Sequence, residues 1–165
     1  MIFKTLPIAD ILLPSISTKA VDDFNIVDLV FFFGDSCIAA EHIPSIGIKY
    51  KWFPIDENAP WGYAPFYFVL HNILDLAERI EPHESVILMT CHGGVNRSVV
   101  MAEFCRRVLP GHFCAQVHHT KAVDGGRVIE HNKLLNLIPQ NIEDFGRCVI
   151  AYPMFTLSEV LKHMR

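Results

Sequence analysis

The chain has 165 residues, of which 51% are hydrophobic and 19% charged, and its net charge is −4. That length fits one domain with a full-sized core, and the composition excludes an intrinsically disordered chain. The acidic balance gives no general attraction to nucleic acid or to an anionic membrane, so neither partner is expected, although a local basic pocket is still allowed.

The N-terminal stretch is apolar but is broken by Pro7, Asp10 and Pro14, so it lacks the uninterrupted core of a signal peptide. No run reaches the roughly 20 apolar residues of a membrane helix. The first 25 residues offer no clear element. Residues 26–33 are intensely apolar and closed by Gly34-Asp35, which predicts a buried strand. Residues 46–54 predict a second strand, running into a loop between Pro54 and Pro60. Residues 64–80 carry Phe68, Leu70, Ile73, Leu74 and Ala77 at helical spacing and predict an amphipathic helix. Residues 85–90 predict the central strand, and residues 98–109 the helix after it, stopped by Pro110-Gly111. A last strand is expected over 115–119 and helices over 129–138 and 156–164. No repeat, low-complexity tract or linker divides the chain, so residues 1–165 read as a single domain. Strands alternating with helices predict an α/β fold: a small, twisted, largely parallel central sheet flanked by helices. In such sheets ligands bind beyond the carboxyl ends of the strands.

The five cysteines, Cys37, Cys91, Cys105, Cys114 and Cys148, are odd in number and scattered. They suit neither a disulfide framework nor a zinc site, which points to a reducing compartment and a cytoplasmic protein. Cys37 follows a strand end and is read as a buried, inert thiol rather than a redox partner for Cys91. Nine histidines are present, but His83, His112, His118 and His119 form no metal spacing with acids or cysteines. They read as surface or internally satisfied side chains. No metal or cofactor is expected.

The most informative segment is Cys91-His92-Gly93-Gly94-Val95-Asn96-Arg97-Ser98. A cysteine ends a buried strand, and an arginine six residues later opens a helix. Backbone N–H groups of a tight loop at a helix N-terminus can cradle an oxyanion, and Arg97 adds a planar, permanently charged fork. Gly93 and Gly94 allow backbone angles and close approaches that a Cβ would forbid. The helix dipole and Arg97 favour the thiolate of Cys91, so the cradle carries its own nucleophile.

The pattern Cys91-x-x-Gly94-x-x-Arg97-Ser98 resembles the signature of the cysteine-dependent protein tyrosine phosphatases, the dual-specificity branch in particular. The likeness covers roughly residues 26–137. It implies the same twisted sheet flanked by helices. It also implies hydrolysis of phosphotyrosine, and by extension phosphoserine and phosphothreonine, in a phosphorylated protein or peptide. The route would be a cysteinyl-phosphate formed on Cys91, with residues 92–97 binding the phosphoryl group and Ser98 stabilising the departing thiolate. Taken alone, Ser98 is a helix N-cap.

The family draws its general acid from a loop some thirty residues upstream. Tyr50, Pro54 and Glu57 match its Tyr, Pro and acid in strict register, with Asp56 one residue before. The family's preference for aspartate, and the tolerance of loops for one residue more or less, favour Asp56. The choice between Asp56 and Glu57 stays open on sequence. Trp52, Trp61, Tyr63 and Phe66 surround this loop and suit either an aromatic wall or the core. Downstream, Arg127-Val-Ile-Glu-His-Asn132 resembles the segment in which Arg127 reaches acidic groups of the substrate and Asn132 supports the phosphate loop. His131 stands where the family carries proline. A second departure is Thr90, where the family carries a histidine before the cysteine.

Three other functions compete. A phosphatase of inositol lipids or RNA 5′-ends is disfavoured by the absence of lysine in the loop and by the net charge. A phosphate-binding module without turnover is favoured by Thr90 and disfavoured by Cys91, Arg97 and the upstream acid. A sulfur transferase is disfavoured by Gly94 and Ser98.

Overall fold

The computed structural model describes residues 1–11, 27–34, 49–56 and 64–121. Five strands lie among them: β1 (Ile2–Pro7), β2 (Leu29–Phe32), β3 (Lys49–Trp52), β4 (Val86–Cys91) and β5 (Gln116–His119). Two α-helices accompany them, α1 (Ala64–Ala77) and α2 (Arg97–Val108). The strands form one sheet in the order β3-β2-β4-β1-β5, and every pairing is parallel. The α/β expectation therefore holds.

All six residues of β4 are buried. A strand covered on both faces by a parallel arrangement needs no polar alternation, which is why Val-Ile-Leu-Met-Thr-Cys is almost uninterruptedly apolar. Thr90 is accommodated because its hydroxyl donates to the Phe31 carbonyl at 2.7 Å. The same logic holds for β2, whose four residues are all buried. Its entry is fixed by Asp28, whose carboxylate accepts from the Val86 amide at 2.9 Å.

β1 was not expected from the sequence. Lys4 and Thr5 break its apolar pattern. Thr5 is fully buried all the same, with its hydroxyl bonded to His119. Pro7 is tolerated because it closes the strand. β1 lies between β4 and β5, so it is an inner strand of the described sheet.

Side chains alternate cleanly between two clusters. Phe3, Leu29, Phe31, Phe33, Ile87 and Met89 face the helices and meet Phe66, Leu70 and Ile73 of α1 and Val100, Met101 and Phe104 of α2. Leu6, Val30, Phe32 and Leu88 point to the opposite face, with Ile8, Ile11 and Val27. The buried stripe of α1 comprises Phe66, Tyr67, Val69, Leu70, Ile73 and Leu76, while Phe68, Leu74 and Ala77 sit at its margin. The apolar face is thus rotated from the one predicted. The helix also ends three residues earlier, where Arg79 and Ile80 fold their amides back onto the Leu76 carbonyl. The helices expected over 129–138 and 156–164 fall outside the described residues.

Phe66 and Phe104 cross edge-on with centroids 4.8 Å apart and lock α1 to α2. Phe104 is fully buried. Phe104→Ala should lower the unfolding free energy by about 3–5 kcal/mol, read from equilibrium urea denaturation. Removal of the exposed Arg79–Asp75 pair, as in Arg79→Ala, should change it by less than ~1 kcal/mol.

Candidate functional site

β4 delivers Cys91 to the carboxyl end of the sheet, and α2 begins at Arg97. Pro7 of β1 is level with Cys91, and Leu6 with Thr90. The five-residue loop between strand and helix therefore lies over the end of β1. The contact is tight at Gly94, whose φ is +69°. A Cβ there would stand 2.4 Å from the Pro7 nitrogen and 2.5 Å from the Leu6 carbonyl carbon, so no side chain fits. Gly93 is different. Its φ is not positive, and a Cβ would make ordinary contact with Val95 at 3.4 Å. Of the two glycines expected to be obligatory, Gly94 alone is. Gly93 and His92 are exposed, Val95 is buried and Asn96 half-buried.

Asn96, not Ser98, is the N-cap of α2. Ser98 is the second residue of the helix and is fully buried. Its hydroxyl lies 3.2 Å from Cys91 Sγ. Ser98 therefore does not cap the helix, because the cap falls two residues earlier, at Asn96. The structure does bring Ser98 and the Cys91 thiol together. Cys91 is itself only 2% exposed. Burial pushes the thiol of Cys105 well above its ordinary value, as suits an inert core cysteine. Cys114, also a free thiol, is exposed.

Arg97 is 4% exposed. Its Nη1 donates to the Ile55 carbonyl at 2.9 Å. A buried guanidinium is stable only with polar partners around it. Here one of them is the backbone immediately before Asp56, so the arginine ties the segment after β3 to the 92–97 loop. Ile55 is buried and Asp56 exposed. Sequence reasoning could not have found the Ile55 contact, because a backbone carbonyl leaves no mark on residue type.

The wall beside the loop is aromatic. The imidazole of His92 stands perpendicular to the ring of Phe32, with centroids 5.8 Å apart. Phe32 covers Gly34, where a Cβ would lie 2.0 Å from the ring. Trp52 Nε1 donates to the Gly34 carbonyl at 3.0 Å, joining the end of β3 to the end of β2. Phe66, one of the aromatics considered for this wall, belongs to the core instead. Trp61, Tyr63, Glu57, Arg127, Asn132 and Cys37 lie outside the described residues.

Cys91, Ser98, Arg97 and the segment carrying Asp56 are thus brought to one end of the sheet. The arrangement offers a thiol with a hydroxyl partner, a buried cation and a helix N-terminus, which together suit an oxyanion. Among the described residues no group of three or more His, Cys, Asp or Glu is gathered for a metal ion. None of the described helices is long and apolar enough to cross a membrane. No known family model matches the chain, and no curated protein matches it.

Gly94→Ala should abolish sulfate binding, measured by calorimetry, and cost more than about 1 kcal/mol of stability, because its φ and its contact with β1 both exclude a Cβ. Gly93→Ala should keep both within about 1 kcal/mol.

Proposed function

We propose that this chain is a cysteine-dependent phosphomonoesterase with a protein tyrosine phosphatase-like fold, acting on phosphotyrosine and, more weakly constrained, on phosphoserine and phosphothreonine in peptides or proteins. The observation that carries this is the pairing of Cys91 Sγ with Ser98 Oγ at 3.2 Å, next to an arginine that reaches the carbonyl preceding Asp56. That geometry brings a candidate nucleophile, a cation and the segment of a candidate acid to one end of the sheet, which supports the reading.

In the first step the Cys91 thiolate attacks phosphorus, an S–P bond forms and the ester P–O bond breaks. Asp56, or Glu57 in strict register with the family, gives its proton to the departing oxygen. Arg97 and the loop amides hold the three peripheral oxygens throughout. In the second step the same carboxylate takes a proton from water as the water attacks phosphorus. The S–P bond breaks, and the Ser98 hydroxyl donates to the sulfur that leaves. The chain's own groups supply each proton and charge required. Free thiols at Cys91, Cys105 and Cys114 suit the reducing, cytoplasmic setting we assign to it.

A phosphate-binding module without turnover is the second possibility. It is favoured by Thr90, whose hydroxyl is directed at the Phe31 carbonyl and away from any part in activating Cys91.

Assay of the purified chain with phosphotyrosine and phosphothreonine peptides, with inositol phosphates as comparison, distinguishes the two. Cys91→Ser should lower turnover at least ~10³-fold while sulfate binding persists. Arg97→Lys should cost ~10²-fold or more in kcat/KM, since a point charge cannot reproduce two parallel hydrogen bonds. Substantial turnover by the serine variant would defeat the proposed mechanism.

The acid is tested by leaving-group dependence. Asp56→Asn should slow a phosphotyrosine peptide more than a nitrophenyl ester and remove the basic limb of the pH–rate profile. If Glu57→Gln shows that signature instead, the strict register is the correct one.

A further inference from the structure

Outside the site, one polar cluster joins three elements. His119, the last residue of β5, has its Nδ1 2.8 Å from the hydroxyl of the buried Thr5 on β1. Its Nε2 lies 3.4 Å from Glu103 Oε1 on α2. The other oxygen of Glu103 accepts from Arg106 Nε at 2.8 Å. The Thr5 carbonyl accepts twice more, from the Thr120 amide at 3.0 Å and the Thr120 hydroxyl at 2.7 Å.

The placement of this cluster gives it meaning. Thr5 is two residues before Pro7, whose backbone forms the floor under Gly94. Glu103 is on the helix that carries Arg97 and Ser98 in its first turn. One imidazole therefore bridges the strand beneath the loop and the helix leading out of it. Taking the loop as an anion site, we propose that His119 is a positioning residue for residues 92–97, holding β1 and α2 in one fixed relation through Thr5 and Glu103.

The bond directions follow from the partners. The Glu103 carboxyl is held below its usual range, first by the bond to His119 and then by Arg106. It is therefore ionised near neutral pH, and it can only accept. Nε2 must carry the proton of that bond. Nδ1 faces the Thr5 hydroxyl, which can donate or accept. Each ring nitrogen thus holds a different element, one β1 and the other α2.

Among the described residues, the charged groups set against this imidazole come from α2: Glu103, with Arg106 behind it. From β1 the partner is the Thr5 hydroxyl. Lys4 is level with His118, and both lie on the other face of the sheet. Lys121 follows two residues on.

The test uses sulfate and a Cys91→Ser parent, which keeps the loop and removes the nucleophile. Sulfate Kd is measured under one set of conditions for the parent and for the parent carrying His119→Gln. The ratio of variant to parent Kd should be ~3–5. Adding Glu103→Gln to His119→Gln should change the ratio little, since both remove one link. In parallel, hydrogen exchange of amides 92–97 should quicken in His119→Gln with little change in Tm. A ratio of ~1, or a fall in Tm with loop exchange unchanged, overturns the proposal and leaves His119 an ordinary structural residue. If the parent binds no sulfate, the anion-site premise fails separately. Loop exchange then decides the clamp itself, and unchanged exchange overturns it.

Discussion

The site depends on one steric constraint, the absence of any space between Gly94 and the Leu6–Pro7 backbone. The parallel register of β1 against β4 sets Pro7 level with Cys91, and the loop after Cys91 must then cross the end of β1 at contact distance. Only a residue without a Cβ and at ease with positive φ can make that crossing. Once Gly94 is seated, the chain re-enters helix at Arg97. The helix entry in turn fixes the buried guanidinium and puts the Ser98 hydroxyl within reach of the Cys91 sulfur.

The electrostatics follow from burial rather than from net charge. The protein as a whole is acidic, yet the cation that matters is removed from solvent, where its field is weakly screened. Arg97 answers the cost of that burial partly through the Ile55 carbonyl. A single side chain therefore ties two segments far apart in sequence. Of the two buried cysteines, Cys105 of α2 is enclosed by core, while Cys91 of β4 has the Ser98 hydroxyl as partner.

What could be read in the sequence was whatever a local pattern encodes. The β4–loop–α2 unit was legible because an uninterrupted apolar strand, paired glycines and an arginine opening a helix are written within a dozen residues. β2, β3 and β5 were legible by their apolar or alternating composition. β1 was not, because Lys4 and Thr5 look wrong for an inner strand. Thr5 is acceptable only because His119, more than a hundred residues away, meets its hydroxyl. The buried stripe of α1 was misplaced because Phe68 and Leu74 are apolar yet marginal, and only packing against Phe104 and the sheet reveals which side is covered. Ser98 was mistaken for a cap because serine is a common capping residue, while the cap is Asn96, two residues before it. Ile55 was invisible because its contribution comes from the main chain. Among the histidines, His119 is satisfied by Thr5 and Glu103, but nothing local named those partners.

The position of β1 has a consequence for how the chain is made. Both of its neighbours, β4 and β5, are encoded some eighty or more residues later. At synthesis rates of about 5–20 residues per second, β1 waits for seconds before either partner strand exists. Closing such long loops carries an entropic cost that must be met before any strand pairing returns it, so the sheet is slow to assemble by its nature. During that interval β1 is a strand in search of an edge.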